Sequence, residues 1–193
     1  MSTKLRVVVA EDEALIRLDL VEMLNESGYE VIGQAGDGLK AIELTENMNP
    51  DLVIMDIKMP KLDGISAAEK IASNRFCPVV ILTAFSQKDL VEKARDAGAM
   101  AYLTKPFSMD ELMPAIELAV SRFQEIKQLD NEIKDLQEQL KARKSIDQAK
   151  ALLIKNLKLS EPEAFKWMQK TAMDKRRSML DVATLVIEEY KNR

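Results

Sequence analysis

The 193-residue sequence contains no histidine and only one cysteine, Cys77. A lone cysteine cannot form a disulfide within the chain, and its place beside Pro78 in an apolar stretch favours a small buried side chain over a reactive thiol. Zinc sites are built largely from cysteine and histidine, and Ser-His or Cys-His catalysis needs an imidazole base. Both classes of site therefore have almost no residues to draw on.

Long hydrophobic runs are also missing. No apolar run approaches the roughly 18 to 20 residues that span a bilayer, and the first residues lead into a strand-like run without the features of a signal peptide. We therefore expect a cytoplasmic protein with no membrane contact. Hydrophobic residues make up 47% of the sequence and charged residues 31%, which is typical of a soluble protein with one ordinary domain and a small one.

Charge is distributed unevenly along the chain. The net charge of −4 combines −7 over residues 1–123 with +3 over residues 124–193, and residues 141–193 alone carry +6. This asymmetry indicates two parts with different partners, and it favours an anionic partner for the second part.

The first 120 residues alternate between strand-like and helix-like patterns. Short runs rich in β-branched residues predict strands over residues 5–10, 30–35, 52–55, 79–84 and 101–105. The patterns between and after them predict helices over residues 14–27, 38–47, 65–73, 87–97 and 109–123. Strict alternation of this kind predicts a five-stranded, doubly wound parallel sheet with helices on both faces. In such sheets the ligand crevice lies at the carboxyl ends of the strands.

No glycine follows Phe123, and the only proline beyond it is Pro162, so the sequence predicts a long uninterrupted helix. Its apolar residues alternate in steps of three and four: Ile126, Leu129, Ile133, Leu136 and Leu140. This is the a/d pattern of an α-helical coiled coil. The alternative is a helix that lies on the first domain, but its other faces are almost wholly polar, which favours pairing.

Residues 141–193 predict three short amphipathic helices packed as a small bundle. The sequence "SEPE" at Ser160 has the form of a capping box, and Ser178 is the predicted cap of the third helix. The residues assigned to the inner faces are Ile146, Ala149, Leu153 and Leu157 in the first helix, Phe165, Met168 and Ala172 in the second, and Leu180, Ala183, Val186, Ile187 and Tyr190 in the third.

Charged and polar residues follow the predicted strands of the first part. Taken alone, Asp56 after the apolar run "LVIM" is either a turn-forming or capping residue or a functional carboxylate. The other residues at strand ends are Glu11, Asp12, Thr83, Lys105 and Pro106. Three acidic groups that converge on one edge repel one another unless a hard cation with oxygen ligands lies between them. Mg²⁺ fits best, because one or two carboxylates hold it and it bridges to a phosphoryl oxygen.

The same residues match the chemistry of phosphoryl transfer. An ionised carboxylate such as Asp56 can attack phosphorus and carry the group as an acyl phosphate. Mg²⁺, the Lys105 ammonium and the Thr83 hydroxyl can stabilise charge on the equatorial oxygens. A threonine that ends a strand is usually structural, and a Lys-Pro pair usually marks a turn. Their combination in this order on five strands favours a phosphoacceptor site.

Over residues 4–123 the chain resembles the receiver domain of two-component response regulators. The resemblance rests on "VVVAEDEALIRLDLVEMLNESGY", "DLVIMDIKMPKLDG", "VVILTAF" and "AGAMAYLTKPF". It implies a flavodoxin-like fold and phosphorylation of Asp56 by a sensor histidine kinase. It also implies a metal site that includes Glu11 and Asp12, with Asp12 as the favoured ligand, and the Lys58 carbonyl as a further ligand. The family commonly has aspartate where Glu11 stands, so the metal geometry here can differ.

The receiver resemblance also implies roles for residues on the last two strands. Thr83 and Lys105 are expected to contact the phosphoryl group, and Tyr102 is expected to act as an aromatic switch. The Lys105–Pro106 peptide bond is expected to be cis.

Residues 124–193 resemble the ANTAR module, a three-helix RNA-binding domain used in transcription antitermination. The matching features are Ala149-Lys150 in the first helix, "SEPEAF" at the start of the second, Ala172, and "LDVA" in the third. The whole arrangement is similar to the phosphorylation-dependent antitermination regulators of actinobacteria. It implies a receiver at residues 1–123, a coiled-coil linker at 124–140 and an ANTAR domain at 141–193. The implied target is two neighbouring stem-loops in a leader transcript.

Candidate RNA contacts lie on the predicted outer face of the second helix. Trp167 points away from the inner face there, together with Lys166, Lys170 and Thr171. An outward tryptophan beside ammonium groups can stack an unpaired base while the lysines meet phosphates. Further basic residues that extend this surface are Arg143, Lys150, Arg176 and Arg177. The alternative is that Trp167 closes one end of a small core and that the lysines are merely solvated.

Together these features predict a regulator rather than an enzyme, with at most slow self-dephosphorylation. Phosphorylation of Asp56 would favour a homodimer, whose two ANTAR modules capture a two-stem-loop RNA and prevent a terminator hairpin. A DNA-binding output is disfavoured, because the third helix is acidic or apolar until its end. A protein-interaction output stays open, since it needs no basic surface.

Overall fold

The computed structural model describes residues 4–74, 76–84 and 88–191. The chain divides into two compact units, Met1–Lys127 and Gln128–Arg193, and each is described by itself. Among the described helices, none has the length and apolar character needed to cross a membrane.

Five strands form the sheet of the first unit: β1 (Arg6–Ala10), β2 (Glu30–Ala35), β3 (Leu52–Asp56), β4 (Val79–Thr83) and β5 (Ala101–Thr104). Their order across the sheet is β2-β1-β3-β4-β5, and every neighbouring pair is parallel. All residues of β3 and β4 are buried, whereas the edge strands β2 and β5 are partly exposed. Burial on both faces explains why β3 and β4 are almost continuously apolar. The predicted doubly wound parallel sheet is confirmed.

Helices cover both faces of this sheet: α1 (Ala14–Glu26), α2 (Gly38–Met48), α3 (Gly64–Ser73), α4 (Lys88–Asp96) and the start of α5 at Met109. One core joins the sheet to α2, α3 and α4, and the other joins it to α1 and α5. The aspartates before α2 and α3, Asp37 and Asp63, each accept a hydrogen bond from a first-turn N–H and so cap these helices. The predicted fourth helix begins at Gln87, which lies outside the described residues.

The helix α5 runs without interruption over Met109–Leu157, a length of 49 residues. The long helix predicted from the missing glycines is therefore confirmed. Of the three short helices predicted in residues 141–193, the second and third are α6 and α7, and the first is the end of α5. The physical reason is that residues 124–157 contain neither glycine nor proline, so nothing ends the helix before it reaches the bundle.

The second unit contains the end of α5 together with α6 (Glu161–Asp174) and α7 (Met179–Lys191). Its buried core consists of Ala149, Leu153, Ala164, Met168, Ala172, Val182, Ala183 and Val186. Partly buried side chains that pack against this core include Ile146, Ile187 and Tyr190. Most of the predicted inner-face positions are confirmed.

Three predicted core residues are at the surface instead: Leu157, Phe165 and Leu180 are 46%, 45% and 40% exposed. In α6 the buried face begins one residue earlier, at Ala164. Successive residues of a helix differ by about 100° in direction, so Phe165 turns toward solvent when Ala164 faces the core. In α7 the buried face begins at Val182 rather than Leu180. Leu157 is the last residue of α5, where the helix ends.

Side chains cap both helices that begin in the second unit. The Glu163 carboxylate accepts hydrogen bonds from the Ser160 N–H at 2.8 Å and from the Ser160 hydroxyl at 2.6 Å. The Ser178 hydroxyl accepts from the Asp181 N–H at 3.1 Å, and the Asp181 carboxylate accepts from the Ser178 N–H at 3.0 Å. Both predicted caps are therefore confirmed.

Candidate functional site

Three carboxylates meet at the carboxyl edge of the sheet. Glu11 and Asp12 directly follow β1, and Asp56 is the last residue of β3. The two strands are neighbours, with Ala10 paired to Met55, so their ends coincide. Each carboxylate offers an oxygen atom that lies within 4.8 Å of the other two. The fold thus brings together the acidic residues that the sequence analysis collected from separate strands.

Lys105 contacts two of these carboxylates. Its ammonium nitrogen Nζ lies 2.9 Å from Asp56 Oδ1 and 2.5 Å from Glu11 Oε2. The Lys105 side chain is 15% exposed, and the Glu11 side chain is fully buried. The Lys105 N–H donates to the Thr83 carbonyl at 2.7 Å, which ties the end of β5 to the end of β4. The peptide bond to Pro106 is cis, as predicted.

The electrostatics of the cluster follow from this burial. Removal from water raises the pKa of the Glu11 carboxyl, and the hydrogen bond and charge of Lys105 offset only part of the rise. For Lys105, burial alone lowers the pKa, but the hydrogen bonds to Asp56 and Glu11 outweigh burial and raise it. Lys105 is therefore held as a cation that compensates part of the negative charge.

The donor set fits a hard divalent cation. Its candidate ligands are all carboxylate oxygens, the ligand type that Mg²⁺ prefers. Asp12 is exposed while Glu11 and Asp56 are buried, so solvent reaches the cluster at Asp12. An ion that keeps several waters suits such an open site. Lys105 contacts both Glu11 and Asp56, whereas Asp12 is exposed, so Asp12 is the carboxylate that an ion from solvent reaches first.

The loop after β3 holds the Asp56 side chain from the backbone. The Lys58 N–H donates to Asp56 Oδ2 at 2.9 Å, so each oxygen of Asp56 has a different partner. The Gly64 N–H closes the loop on the Ile57 carbonyl at 2.8 Å. A Cβ atom on Gly64 would lie 2.0 Å from the Asp56 carbonyl oxygen, so only glycine fits. Gly64 was not predicted from the sequence, although an Asp-Gly pair before a helical pattern is a recognisable signal.

Thr83 and Tyr102 lie on neighbouring strands but in different surroundings. Thr83 ends β4 with its side chain only 2% exposed, and β4 pairs with β3 up to Asp56 and Leu82. Thr83 therefore leaves the sheet at the same edge as Asp56. Tyr102 lies on the edge strand β5, is 50% exposed, and borders a cavity that Leu118 also lines. Their roles in phosphoryl contact and switching stay predictions.

Most of the predicted RNA-contacting residues are at the surface. The exposed ones are Arg143, Lys166, Trp167, Lys170, Arg176 and Arg177. Trp167 is 41% exposed and is not among the residues that form the hydrophobic core of its unit, and its role in RNA contact stays a prediction. Thr171 is half-buried, and its hydroxyl donates to the Trp167 carbonyl at 2.8 Å.

Lys150 differs from the other predicted RNA contacts. Its Nζ lies 2.9 Å from Asp147 Oδ1 and 3.2 Å from Glu161 Oε1, and its side chain is only 18% exposed. Hydrogen bonds to Asp147 and Glu161 raise the pKa of Lys150, and the same contact lowers the pKa of Asp147. Lys150 therefore links the end of α5 to the first turn of α6, and its positive charge is already paired with two carboxylates.

Comparison with known proteins accounts for both units. Residues 7–117 match the response regulator receiver domain, and residues 134–187 match the ANTAR domain. The chain belongs to the response regulators. This response regulator is 62% identical over 183 residues to the transcriptional regulatory protein PdtaR of Mycobacterium tuberculosis, which covers 95% of the chain and 89% of PdtaR.

Solved structures match the receiver part of this response regulator. The signal receiver domain of the response regulator NarL from Mycobacterium tuberculosis matches with a TM-score of 0.59 at 31% identity, over 61% of this chain and 97% of that chain. A chain of the CheX–CheY–BeF₃–Mg complex from Borrelia burgdorferi matches with a TM-score of 0.55 at 25% identity, over 58% and 86% of the two chains. The receiver and ANTAR resemblances are thus confirmed, and both matched families are regulatory rather than enzymatic.

Proposed function

We propose that a sensor histidine kinase phosphorylates this response regulator on Asp56. Phosphorylation then promotes dimerisation and the binding of paired stem-loops in leader RNA, which causes transcription antitermination. We assign the receiver to residues 1–123, the coiled-coil linker to 124–140 and the ANTAR domain to 141–193. The proposal is carried by the Asp56 carboxylate, held 2.9 Å from the Lys105 ammonium inside an acidic cluster, in a chain that also matches the ANTAR domain.

The chemistry at Asp56 is transfer of a phosphoryl group to a carboxylate oxygen. A bond forms between that oxygen and phosphorus while the bond from phosphorus to the donor imidazole nitrogen breaks, and the donor keeps the electron pair. Asp12, Asp56 and the Lys58 carbonyl would hold Mg²⁺, which when bound neutralises charge on the phosphoryl oxygens. Lys105 supplies a second positive charge, and the Thr83 hydroxyl supplies a hydrogen bond. The similarity to a chain solved with Mg²⁺ and BeF₃ supports this assignment.

The consequence of phosphorylation is a change in the receiver surface. Thr83 would move toward the phosphoryl oxygens, and Tyr102 would move inward from its half-exposed position on β5. The new surface would favour a receiver dimer, which brings two copies of α5 together.

The apolar stripe on α5 supports pairing with a second copy. Its five side chains, Ile126, Leu129, Ile133, Leu136 and Leu140, are between 39% and 59% exposed. In the heptad repeat, Ile126, Ile133 and Leu140 occupy position a, and leucine occupies both d positions. Isoleucine at a with leucine at d favours a parallel coiled coil of two helices. In a parallel pair, Glu125 of one copy would face Asp130 of the other, which brings two negative charges together, while Glu132 would face Gln137. This repulsion weakens the stripe by itself and makes pairing depend on the receivers.

The first test measures binding of the purified protein to a two-stem-loop leader RNA and to duplex DNA. Acetyl phosphate and Mg²⁺ are present or absent, and Asp56→Ala is measured alongside. We expect acetyl phosphate with Mg²⁺ to strengthen RNA binding and dimerisation in the native protein and to have no effect on Asp56→Ala. Binding to DNA alone would replace the RNA output with a DNA output, and dimerisation without nucleic-acid binding would favour a protein-interaction output.

The second test concerns the stripe on α5. Leu136→Gln should weaken phosphorylation-dependent dimerisation by at least about tenfold, because burial of one leucine contributes about 1.5 to 3 kcal/mol. Glu138→Gln, on the polar side of the same helix, should leave it unchanged. Sedimentation equilibrium of the phosphorylated proteins measures both effects, and equal dimerisation of the two variants would rule out pairing through this stripe.

A further inference from the structure

The loop that follows Asp56 is tied to the start of α2. Lys61 Nζ lies 2.7 Å from Asp37 Oδ2, and the Asp37 side chain is only 12% exposed. The other carboxylate oxygen of Asp37 accepts a hydrogen bond from the Lys40 N–H at 2.9 Å and caps α2. Asp37 thus uses one oxygen for its own helix and the other for the loop.

A backbone contact lies next to this ion pair. The Gly38 N–H donates to the Leu62 carbonyl at 3.1 Å. A Cβ atom on Gly38 would lie 2.4 Å from that carbonyl oxygen, so the approach of α2 to the loop requires glycine. The side-chain and backbone contacts therefore join the same two segments at the same place.

The loop makes its sharpest turn at the residue that forms the ion pair. Lys61 has a φ of 62°, a left-handed conformation that side chains other than glycine, asparagine and aspartate rarely adopt. The Leu62 N–H donates to the Pro60 carbonyl at 2.7 Å across this turn. Asp37 holds the Lys61 side chain while the backbone takes this unusual conformation. The hydrogen bond from Lys61 also lowers the pKa of Asp37, which keeps the partner ionised.

The other end of the loop reaches the proposed phosphoacceptor. Lys58 donates its N–H to Asp56 Oδ2 at 2.9 Å, and its carbonyl is a proposed Mg²⁺ ligand. We infer that Asp37 and Lys61 are positioning residues, whose ion pair holds the loop so that Lys58 presents its N–H to Asp56 and its carbonyl to Mg²⁺. The pair thereby sets the Mg²⁺ affinity and the lifetime of phosphorylated Asp56. This inference rests on the proposed function.

An ordinary surface ion pair would contribute little, and the chain contains one for comparison. Lys40 Nζ lies 2.8 Å from Glu43 Oε1 on α2, with side chains 45% and 58% exposed, and both residues belong to the same helix. The pair between Asp37 and Lys61 instead joins two segments: the Lys61 side chain is 65% exposed, but its partner carboxylate is only 12% exposed. Lys40→Met is therefore the matched control for Lys61→Met.

The experiment measures Mg²⁺ binding by calorimetry and the decay of phosphorylated Asp56 after acetyl phosphate is removed, both on the full chain. We expect Lys61→Met and Asp37→Asn to weaken Mg²⁺ binding by about three- to tenfold, which is less than the roughly 10- to 100-fold effect of groups that contact a metal ligand directly, because the pair acts through the loop. Asparagine still caps a helix, so Asp37→Asn removes the charge and leaves the cap. Both variants should also change the phosphoryl lifetime. Lys61→Arg keeps the positive charge, so Mg²⁺ affinity and phosphoryl lifetime should stay at their native values. Lys40→Met should change neither quantity.

The outcomes separate this inference from the proposed function. If the native protein binds no Mg²⁺, the proposed metal site fails and the inference fails with it. If the native protein binds Mg²⁺ and Lys61→Met binds it equally well, the inference alone is overturned. A lower melting temperature with unchanged Mg²⁺ affinity and phosphoryl lifetime would make the pair a stabilising contact only, and would also overturn the inference.

Discussion

The first unit, Met1–Lys127 (the receiver unit), and the second unit, Gln128–Arg193 (the ANTAR unit), place their charged residues in opposite ways. In the receiver unit, Glu11, Asp56 and Lys105 are largely buried, and Lys105 contacts both carboxylates. In the ANTAR unit, residues such as Lys166 and Lys170 are exposed on α6. A buried charge depends on its partner, whereas an exposed charge is solvated with or without one. The stability of the receiver site therefore depends strongly on each of its three charged residues. Each exposed basic residue of the ANTAR unit contributes little by itself.

The same substitution in both units tests this comparison most severely. Lys105→Met leaves two buried carboxylates without their cation and should lower the free energy of unfolding of the receiver by about 2 to 4 kcal/mol in the absence of Mg²⁺. It should also abolish phosphorylation by acetyl phosphate. Lys170→Met should change the stability of its unit by less than about 0.5 kcal/mol. Urea denaturation followed by circular dichroism measures both, and similar losses in the two variants would contradict the comparison.

A second pair of substitutions tests the core of the ANTAR unit. Met168 is fully buried, whereas Phe165 is 45% exposed despite its larger apolar side chain. Met168→Ala should destabilise the unit by about 2 to 4 kcal/mol, and Phe165→Ala should cost less than about 1 kcal/mol. Trp167 is the only tryptophan, so its fluorescence during denaturation reports on this unit alone. A larger loss of stability for Phe165→Ala would support the orientation of α6 predicted from the sequence, with Phe165 in the core.

Two basic residues of α5 test whether every predicted RNA contact is available. Arg143 is exposed, whereas Lys150 is held by Asp147 and Glu161. Arg143→Met should reduce the slope of log RNA affinity against log salt concentration by about one, the value expected for one phosphate contact. Lys150→Met should leave that slope nearly unchanged. The measurement is the affinity for leader RNA across a series of salt concentrations. A reduced slope for Lys150→Met would mean that RNA phosphates displace the two carboxylates.

The pH dependence of the ANTAR unit is the smallest expected effect. Hydrogen bonds from Ser160 and Ser178 lower the pKa values of Glu163 and Asp181 below their ordinary 4.5 and 3.8. Their folded pKa values lie below the unfolded ones, so this stabilisation is present above the unfolded values and is lost as the pH falls through the folded values. The melting temperature reported by Trp167 should therefore fall between about pH 5 and pH 3.

A double variant provides the control for the pH experiment. Glu163→Gln with Asp181→Asn should reduce the pH dependence, because neither side chain then titrates, and leave the part due to Asp147, whose pKa the hydrogen bond with Lys150 lowers. The receiver unit carries shifts of both signs: burial raises the pKa of Glu11, whereas hydrogen bonds lower the pKa values of Asp37, Asp63 and Glu111. The raised and the lowered values act on stability in opposite directions as the pH falls. An equally steep response in the double variant would assign the effect to other groups.

Much of the receiver fold could be predicted, because few folds are compatible with its alternating pattern of strands and helices. Strands buried on both faces must be apolar throughout, and alternation with helices leaves the carboxyl ends of parallel strands as the meeting place of Asp12, Asp56 and Lys105. The missing glycines after Phe123 likewise predicted the long helix. The orientation of α6 could not be predicted as well, because Ala164 and Phe165 are both apolar and adjacent, so the sequence alone could not decide which of them faces the core.

The sequence by itself determined the element order, the parallel sheet, the acidic cluster with its lysine, and the uninterrupted α5. These follow from periodicity and chain connectivity, which are local properties. Only the tertiary structure decided that Lys105 contacts Glu11 as well as Asp56, that Lys150 contacts two carboxylates, and that Asp37 reaches Lys61. The physical reason is that an ion pair forms or fails over a few ångströms. Residues 94 and 24 positions apart in sequence acquire such distances only when whole elements have packed.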